Sequence, residues 1–515
     1  MKASKILERL QTVRTAGPED PDITGLVYDS RKAGPGTLFV CIVGTNSDSH
    51  RFLPQVFESG AAAVLVEKGH MPEGLKIPEH VAVYETEDTR LGLALASAAW
   101  FGYPAEQIPV IGVTGTKGKT TTTYMIRSIL DHAGHKTGLI GTIEAIIGDQ
   151  RIPSANTPPA SYVVQKDLRA MIDAGCDCAV MEVSSLALKM HRTDGILFEI
   201  GVFTNISPDH IGPNEHSSFE EYMECKGRLF RQCRLGIVNI DDPHATDVLA
   251  GHTCEVETYG IRSEKADLRA VHIEHVARPG YLGMSFDVTG SMPLHVELDL
   301  PGLFSVYNAL TAIACCEHFG IPADAIRSAL KSAKVKGRIE PVPVSDRFTL
   351  MIDYAHNAMA LESLLTTLRD YGPKRIVCVF GCGGNRARAR RFEMGETAGR
   401  LADFTIITSD NPRFEDPQAI IGDIVTGIRK TEGRYITIED RKEAIRYAIT
   451  HGEEGDVIVL AGKGHEDDQE IRGVKHPMDE RVLIREILDE EALRRCDRLD
   501  HRKQTRSSVY LRRPA

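Results

Sequence analysis

The segment GVTGTKGKTTTTYM, Gly112–Met125, joins an apolar run to a helical pattern through a glycine-rich turn. A strand, a tight turn and a helix in this order form the phosphate-binding loop of many nucleotide-binding proteins, because backbone N–H groups and the helix amino terminus attract anionic oxygens. The strict pattern G-x-x-x-x-G-K-[ST] requires glycine at position 113, where this chain has Val113. On this segment alone, a nucleotide-binding loop and a simple tight connection both remain open.

The loop interpretation assigns roles to the polar residues of the turn. Lys119 is expected to meet the β- and γ-phosphates of a nucleotide, and Thr120 to coordinate Mg²⁺. The N-K-x-D pattern that reads guanine is absent from the chain, which favours ATP over GTP. The residues expected to surround the phosphates are Gly115, Thr116, Lys117, Gly118, Lys119, Thr120 and Thr121.

Two further candidates follow other apolar runs. Glu182 ends the run AVME, and His210 lies just after the run that leads into FTNIS. Ligands of open α/β sheets gather at the carboxyl ends of the strands, and a carboxylate there is a suitable Mg²⁺ ligand. Taken singly, Glu182 fits an exposed acid at a strand end as well as it fits a Mg²⁺ ligand. A lone histidine such as His210 is more often structural than a ligand. Together with the loop, both residues are candidates for one site.

The chain of 515 residues is long enough for about three domains at roughly 150 residues each. From residue 108 onward, apolar runs alternate with helical patterns, which predicts β-α-β units, parallel sheets and an α/β fold. We expect an amino-terminal α/β domain over residues 1–105, a central domain over 106–336 and a third over 337–494. Residues 495–515 are basic and poor in apolar side chains, which predicts a disordered tail.

Composition narrows the class of protein and its surroundings. The net charge is -11, from 72 acidic and 61 basic residues, which argues against nucleic acid as a partner. No apolar run approaches the ~18 residues of a membrane span, and the amino terminus lacks the apolar core of a signal peptide. Eleven cysteines include no C-x-x-C pair, so we expect free thiols and a reducing, cytoplasmic location.

Further motifs occur along the chain in a fixed order. They are DSRKAGPGTLFV, GTKGKTT, EVSS, TNISPDH, YNALTAIA, KGRIE, DYAH, GCGGNR, SDNPR and GKGHE. This ordered set resembles the Mur ligase family over about residues 22–490. The ATP loop of that family tolerates a residue other than glycine at its first position, which accounts for Val113.

The resemblance implies three α/β domains: an amino-terminal domain that binds a UDP-sugar, a central P-loop-type ATPase domain with a parallel sheet, and a carboxyl-terminal Rossmann-like domain that binds an amino acid. It also implies ATP- and Mg²⁺-dependent amide formation in peptidoglycan synthesis. A carboxylate of UDP-MurNAc-L-Ala-D-Glu attacks the γ-phosphate of ATP to give an acyl phosphate, and an amine of meso-diaminopimelate then displaces phosphate. A monomer without a membrane or nucleic-acid partner is expected.

Site residues carried over from the family fall into three groups. Lys226 matches a lysine that is carbamylated and supports a second Mg²⁺, although its local pattern is that of a solvated helix lysine. The residues that match further ATP contacts are Asn308, Arg338, Asp353 and His356. Those that match contacts to the UDP-MurNAc-dipeptide are Ser30, Thr157, Pro158, Ser184 and Arg192.

The motif SDNPR carries the specificity signal. In the family, an arginine at the position of Arg413 accompanies meso-diaminopimelate, which differs from lysine by a second carboxylate that a guanidinium can grip bidentately. Lysine would leave this arginine unpaired. The other residues that match amino-acid contacts are Arg386, Asp410, Asn411, Pro412, Gly462 and Glu466, the last facing the distal ammonium.

The chain departs from the family at positions near the acceptor and the reaction centre, namely Leu186, Pro158, Met190, Gly212 and Asn385. Four alternatives therefore stay open: the same chemistry on L-lysine or another diamino acid, a paralogue with a different acceptor, a folylpolyglutamate synthase, and a nucleotide-dependent switch. Folate members lack the DSR segment and the SDNPR/GKGHE pair. A switch would turn over ATP without acceptor and amino acid.

Overall fold

The computed structural model describes residues 1–44, 47–154, 156–209, 211–212, 215–278 and 280–493. The chain divides into two units. Unit 1 comprises Met1–Val271, Asp287–His295 and Val306–Leu330. Unit 2 comprises His272–Phe286, Val296–Ser305 and the described chain from Lys331 onward. The predicted tail, residues 495–515, lies outside the described residues.

Unit 1 begins with a five-stranded sheet in the order β1-β5-β4-β3-β2. Its strands are β1 (Val13–Ala16), β2 (Gly25–Val27), β3 (Thr37–Val40), β4 (Ala63–Glu67) and β5 (Ala82–Thr86), and its helices are α1 (Ala3–Ile6), α2 (Leu53–Glu58) and α3 (Thr89–Trp100). β1 is antiparallel to β5, and the other pairs are parallel. Helix α3 begins where the Asp88 carboxylate accepts hydrogen bonds from two backbone N–H groups of the first turn, as a helix cap does.

The central sheet of unit 1 has β6 in its middle, between β10 and β11. Its elements are β6 (Val110–Thr114), α4 (Lys119–His132), β7 (Thr137–Ile140), β8 (Glu144–Ile147), β9 (Gln150–Pro153), α5 (Ser161–Asp173), β10 (Cys178–Glu182), α6 (Ser185–Lys189), β11 (Phe198–Phe203), α7 (Phe219–Gly227), β12 (Cys233–Asn239), α8 (Ala245–Val248) and β13 (Glu255–Gly260). From β13 to β7 the order is β13-β12-β11-β6-β10-β7, with every pair parallel. β8 and β9 add an antiparallel edge.

Burial on both faces explains why the central strands are apolar throughout. Every residue of β6 and of β10 is buried, and the register sets Glu182 opposite Val113. β11 lies on the other side of β6, with Phe203 opposite Thr114. The glycine-rich turn therefore leaves the sheet at a point where three strands end together, which is where parallel sheets collect their ligands.

The chain then forms β14 (Leu268–Arg278), β15 (Tyr281–Gly290), β16 (Leu294–Leu298), α9 (Leu303–Glu317) and α10 (Ala323–Lys331). The first residues of β14 extend the central sheet, because Leu268 and Arg269 pair in parallel with Tyr259 and Gly260. Helix α9 carries Asn308 and is rich in alanine and leucine, which are good helix formers.

Unit 2 contains a six-stranded sheet in the order β17-β18-β22-β19-β20-β21. Its elements are β17 (Glu340–Val342), β18 (Thr349–Asp353), α11 (Ala358–Arg369), β19 (Arg375–Phe380), α12 (Ala389–Leu401), β20 (Phe404–Ile407), α13 (Pro417–Ile428), β21 (Tyr435–Thr437), α14 (Arg441–Thr450), β22 (Asp456–Ala461), and the hairpin β23 (Asp468–Ile471) and β24 (Val474–Pro477). Residues 480–493 are helical. β17 is antiparallel to β18, and the remaining neighbours are parallel.

The predicted α/β class is confirmed by these parallel sheets. The three domain boundaries remain a prediction, because the division into two units does not test them. No helix in the described part of the chain is long and apolar enough to cross a membrane. Ten of the eleven cysteines lie in the described ranges, and all ten are free thiols, as predicted.

A buried ion pair holds together the strand ends of unit 2. Arg441, at the start of α14, donates from Nε to Glu480 Oε1 at 2.8 Å, and both side chains are almost fully buried. The same guanidinium donates to the carbonyl oxygens of Ala461 at 3.0 Å and Ser409 at 3.3 Å. It thereby fixes the chain just after β22 and just after β20.

Replacing Arg441 with leucine is expected to lower the free energy of unfolding by about 3 kcal/mol, because the Glu480 carboxylate would remain buried without a cation. Urea unfolding checks this value. The control is Lys430→Ala, which removes a solvent-exposed pair with Glu396 and is expected to cost less than about 1 kcal/mol. Equal losses in both variants would contradict the assigned role of the buried pair.

Candidate active site

The nucleotide loop depends on two glycines with left-handed backbone. Gly115 has φ +147°, and a Cβ there would lie 1.9 Å from Thr204 Oγ1. Gly118 has φ +87°, caps helix α4, and would place a Cβ 2.6 Å from Asn308 Oδ1. A side chain at either position would therefore require the loop or its neighbours to move. Val113 lies inside the buried strand β6, so the turn itself does not need a glycine at that position.

Lys119 folds back over the loop. Its Nζ donates to the carbonyl oxygens of Gly115 at 2.8 Å and Thr116 at 3.1 Å. Asn205 holds the loop through two hydrogen bonds. Its backbone carbonyl oxygen accepts from Thr116 N at 2.8 Å, and its side-chain Oδ1 accepts from Lys117 N at 2.9 Å. This arrangement holds an ammonium group beside the amino terminus of α4, where phosphate oxygens are attracted.

Asn308 and Thr121 complete the predicted ATP contacts of unit 1. Asn308 Oδ1 accepts from Thr122 Oγ1 at 3.2 Å, so the predicted adenine contact is anchored to helix α4. Thr121 lies in the first turn of that helix and is half-buried. The structure thus brings the predicted loop residues and Asn308 into one neighbourhood.

Glu182 is a fully buried carboxylate at the end of β10. It accepts hydrogen bonds from Thr120 Oγ1 at 3.0 Å, from Thr142 N at 2.8 Å and from Thr142 Oγ1 at 2.9 Å. All these donors are neutral, and no ion pair to Glu182 occurs among the described residues; a buried carboxylate without a cation nearby is costly. Oxygen atoms from Thr120 and Glu182 form a donor set that suits Mg²⁺. His210, the third predicted ligand, lies outside the described residues.

Lys226 is buried, contrary to its local sequence pattern. Its Nζ donates to Gly115 O at 2.8 Å and lies 4.5 Å from the centre of the Tyr222 ring, whose hydroxyl is 2.9 Å from Thr116 Oγ1. Burial, followed by the positive charge of Lys119, holds the pKa of Lys226 well below its ordinary value. A lowered pKa favours the uncharged amine, which is the form that reacts with CO₂ to give a carbamate.

Thr157 and Ser184, two of the residues predicted to bind the acceptor, are connected to Glu182 through Thr142 or through the adjoining chain. Thr157 Oγ1 donates to Thr142 Oγ1 at 3.2 Å, and Arg192 Nη1 donates to Pro158 O at 3.0 Å. Ser184 caps helix α6 by accepting from Ala187 N at 3.1 Å, two residues beyond Glu182. Thr142 therefore connects the acceptor segment to the buried carboxylate.

Ser30 and three of the departures from the family pattern, Leu186, Met190 and Gly212, lie in unit 1. Ser30 begins a short 3-10 helix, Ser30–Lys32, after β2, and no side-chain hydrogen bond joins it to the other predicted acceptor contacts among the described residues. Leu186 lies in α6, and Met190 Sδ accepts a long contact of 3.8 Å from Arg192 Nη2. Gly212 follows the undescribed His210, and a Cβ there would meet open space.

In unit 2, Asn411 joins the two predicted amino-acid motifs. Its Nδ2 donates to Glu466 Oε2 at 2.9 Å, and its Oδ1 accepts from Lys463 Nζ at 3.0 Å. Lys463 is completely buried and also donates to Glu466 Oε2 at 2.7 Å. Gly462 (φ +106°) brings the backbone against Asp410, because a Cβ there would lie 3.1 Å from Asp410 Oδ2. The predicted contacts of SDNPR and GKGHE therefore meet in one place.

Arg413 pairs with a carboxylate of the chain itself, which corrects the expectation that lysine would leave it unpaired. Its Nε donates to Glu470 Oε2 at 3.0 Å, and its Nη1 donates to Gly384 O at 2.6 Å. The backbone of Arg413 is left-handed, with φ +53°. Pro412 lies against Gly384, where a Cβ would meet Pro412 O at 2.0 Å.

Arg386 and Asn385 lie in the facing loop. Arg386 is exposed and forms no ion pair within the described ranges, so its guanidinium is available to a ligand. Asn385 Oδ1 accepts from Phe414 N at 3.2 Å, which attaches this loop to the segment after Pro412. The departure at Asn385 thus retains a structural contact.

The DYAH loop gathers the remaining predicted ATP contacts. Asp353 is buried and accepts from Ile339 N and Ala355 N, both at 2.8 Å, and burial raises its pKa. Arg338 lies over the Tyr354 ring at 4.8 Å, and His356 Nδ1 donates to Tyr354 O at 2.9 Å. These three residues belong to unit 2, whereas the loop and Asn308 belong to unit 1.

Two sequence models match the chain: the Mur ligase middle domain over residues 113–316, and the Mur ligase, glutamate ligase domain over residues 337–464. The chain belongs to the Mur ligase family. The resemblance found in the sequence motifs is thereby confirmed, and together the matched regions cover more than half of the protein.

Similar curated proteins extend the match over almost the whole chain. A protein of Caldanaerobacter subterraneus subsp. tengcongensis is 41% identical over 478 residues, covering 92% of this chain and 96% of the relative. One of Geobacillus thermodenitrificans is 40% identical over 501 residues, covering 95% and 100%. Both are named UDP-N-acetylmuramoyl-L-alanyl-D-glutamate–2,6-diaminopimelate ligase.

Solved structures agree with the fold. A UDP-N-acetylmuramoyl-L-alanyl-D-glutamate–2,6-diaminopimelate ligase is 29% identical with a TM-score of 0.67, covering 91% of this chain and 95% of that one. Folylpolyglutamate synthase of Mycobacterium tuberculosis, complexed with ADP and AMPPCP, is 19% identical with a TM-score of 0.56, covering 73% and 92%. At that identity the second likeness concerns the fold alone.

Four residues of these sites were missed by sequence reasoning: Thr142, Tyr222, Lys463 and Glu470. Thr142 follows β7 by two residues, so the strand-end rule that found Glu182 could have found it. Lys463 lies within GKGHE, but the residues of this motif that match amino-acid contacts are Gly462 and Glu466. Tyr222 and Glu470 carry no local signal, because their contacts come from distant parts of the chain.

Replacing Lys226 with methionine is expected to stabilise the protein more at pH 7 than at pH 10. The unfolded lysine binds a proton at pH values where the buried amine does not, so protonation favours unfolding between the lowered folded pKa and the ordinary one. The gain in melting temperature over the wild type should therefore shrink as pH rises toward about 10.

The measurement is thermal unfolding in CO₂-free buffers from pH 7 to pH 10, so that carbamate does not form. Lys166→Met, which changes a solvent-exposed lysine of α5, is the matched control and should show no such trend. A Lys226→Met gain that stays constant with pH would contradict the lowered pKa of Lys226.

Proposed function

We propose that this protein is an ATP-dependent ligase that joins meso-diaminopimelate to UDP-MurNAc-L-Ala-D-Glu in peptidoglycan synthesis. The observation that carries the proposal is the cluster in which Asn411 and Lys463 hold Glu466 near the Arg413 segment. A carboxylate that can face an ammonium and a guanidinium that can face a carboxylate are what the second centre of diaminopimelate requires. The names of relatives about 40% identical over nearly the full length support the same substrates.

In this proposal, unit 1 activates the acceptor. The loop from Gly115 to Thr121 binds the ATP phosphates, with Lys119 facing the β- and γ-phosphates and Asn308 facing adenine. Thr120 and Glu182, with His210 and a carbamylated Lys226, would hold Mg²⁺. When bound, Mg²⁺ neutralises negative charge on the phosphate oxygens, which a phosphoryl transfer to a carboxylate requires.

The acceptor residues bring the attacking carboxylate to that phosphate. Ser184, Thr157 and Arg192 lie on segments fixed to Glu182 directly or through Thr142. A cation such as Arg192 offsets the repulsion between the incoming carboxylate and ATP. The carboxylate oxygen attacks the γ-phosphorus, the bond to the β-phosphate oxygen breaks, and ADP and an acyl phosphate result.

The residues of unit 2 then deliver the amine. Arg386 has a free guanidinium for the α-carboxylate of the amino acid, while Asp410, Asn411, Pro412, Arg413, Gly462 and Glu466 surround its distal centre. The amine attacks the acyl carbonyl, and phosphate leaves from the tetrahedral intermediate. Arg338, Asp353 and His356 are proposed to close over the nucleotide, because an acyl phosphate hydrolyses unless water is excluded.

Carbamylation of Lys226 is part of the proposal. In its uncharged form Nζ attacks CO₂: an N–C bond forms, one C=O π bond breaks to leave a carboxylate, one proton is released, and the neutral amine becomes an anion. The support is the buried position of Nζ beside Gly115 O together with the lowered pKa. Cytoplasmic location is proposed as well, since that is where ATP and UDP-linked precursors are found.

Phosphate release from ATP and UDP-MurNAc-L-Ala-D-Glu is expected with meso-diaminopimelate and not with L-lysine. A coupled assay of phosphate with each amino acid, and with acceptor or amino acid omitted, checks this. Release with lysine alone would favour the lysine-adding alternative. Release without acceptor would indicate a nucleotide-dependent switch. If no phosphate were released with either amino acid, the protein would use a different acceptor.

Lys119→Ala is expected to lower kcat by at least about 100-fold, because the charge on the transferred phosphoryl group would lose its nearest cation. Lys117→Ala is the matched control: it is an exposed lysine of the same loop whose described contacts are made by its backbone, and its loss should be far smaller. A wild-type rate in Lys119→Ala would remove the assigned role of the loop lysine.

A further inference from the structure

Glu470 lies at the amino-acid site without belonging to any of the motifs that identify the family. It sits on β23 of the small hairpin, with its side chain against Arg413 and about 28% exposed. The backbones of the two residues are also paired, because Arg413 N donates to Glu470 O at 2.9 Å. The position of Glu470 next to Arg413 is therefore fixed twice, once through the main chain and once through the ion pair.

The hairpin is bound to the rest of the site through Asn411. Glu470 N donates to Asn411 Oδ1 at 2.9 Å, the same oxygen that accepts from Lys463. Gln469 Nε2 donates to Asp410 O at 2.6 Å. These bonds connect the Arg413–Glu470 pair to the Lys463–Glu466 pair through a single amide.

The two connected pairs contain two cations and two anions, so the charges of these four side chains balance one another. A distal centre with one carboxylate and one ammonium is also neutral, and each of its charges finds an opposite charge in the site. A distal group with a carboxylate alone would add one uncompensated negative charge between Glu470 and Glu466. Like-charge contacts of this kind are how binding sites reject close analogues.

We propose that Glu470 is a specificity-determining residue for the incoming amino acid. It pairs with Arg413 before binding, so that the site accepts a distal centre carrying both an ammonium and a carboxylate and rejects one carrying a carboxylate alone. This inference rests on the proposed function, and it adds a selection by charge balance to the recognition of the second carboxylate by Arg413. Glu470 acts partly through Arg413 and partly through its own charge.

The test compares wild type with Glu470→Gln on meso-diaminopimelate and on L-2-aminopimelate, which lacks only the distal amino group. Glutamine retains an oxygen that can accept from Arg413 Nε but removes the negative charge. The ratio of kcat/KM for diaminopimelate over aminopimelate is expected to fall about tenfold in the variant, because Arg413 then carries an uncompensated charge that favours a lone carboxylate.

Two variants separate charge from structure. Glu470→Asp keeps the charge and is expected to keep a ratio within about twofold of wild type. Asp468→Asn makes the same carboxylate-to-amide change on the same strand at similar exposure, but its partner is Lys475, so its ratio should also stay at the wild-type value. For any variant whose turnover is too slow to measure, circular dichroism checks that it is folded, and calorimetry compares its binding of the two amino acids.

An unchanged ratio in Glu470→Gln, with both values of kcat/KM lowered equally, would show a purely structural role and overturn the inference. A fall of the same size in Glu470→Asp or Asp468→Asn would overturn it as well, because charge at this position would not be the cause. Failure of the proposed function is distinct: the wild-type enzyme itself would then show no phosphate release with diaminopimelate.

Discussion

The buried carboxylate of Glu182 is the constraint on which the nucleotide site depends. It lies at the end of β10, opposite Val113, and receives hydrogen bonds from the first turn of α4 and from the segment after β7. A carboxylate in such surroundings must keep all its donors, because losing one leaves an anion short of a partner in the interior. The loop, the helix it opens and the acceptor segment beyond Thr142 are therefore held at fixed positions by one side chain.

In unit 2, buried charged side chains are held by ion pairs. Lys463 and Arg441 are both buried, and each is paired with a glutamate and hydrogen-bonded to carbonyl or amide oxygens. Such networks add little net stability compared with an apolar core, but they leave few alternative arrangements for the groups involved. The side chains of the proposed amino-acid site are consequently held in place by the protein itself, which reduces the side-chain ordering that binding would otherwise require.

The sequence could predict those parts of the site whose residues lie close together in the chain and form a recognisable pattern. The turn at Gly115 and Gly118 follows from spacing, and Glu182 follows from the end of an apolar run. Lys226 could not be predicted to be buried from its helix alone, because its surroundings are supplied by the loop 111 residues away. Glu470 meets Arg413 across 57 residues of chain, so no local pattern indicates the pair. The resemblance to the family pointed to Lys226 as a site residue, although its local pattern is that of a solvated lysine. The family motifs do not include Glu470.

Arg413, for which a specificity role is proposed, has a backbone conformation that only glycine adopts without cost. A left-handed φ at a residue with a side chain costs on the order of 1 kcal/mol, and the surrounding bonds must hold it there. Glycine at this position would relieve the strain and remove the guanidinium at once. Chain stability therefore favours glycine at position 413, whereas the proposed recognition of a second carboxylate requires arginine. Under that proposal, the arginine found here gives up some stability for a binding contact.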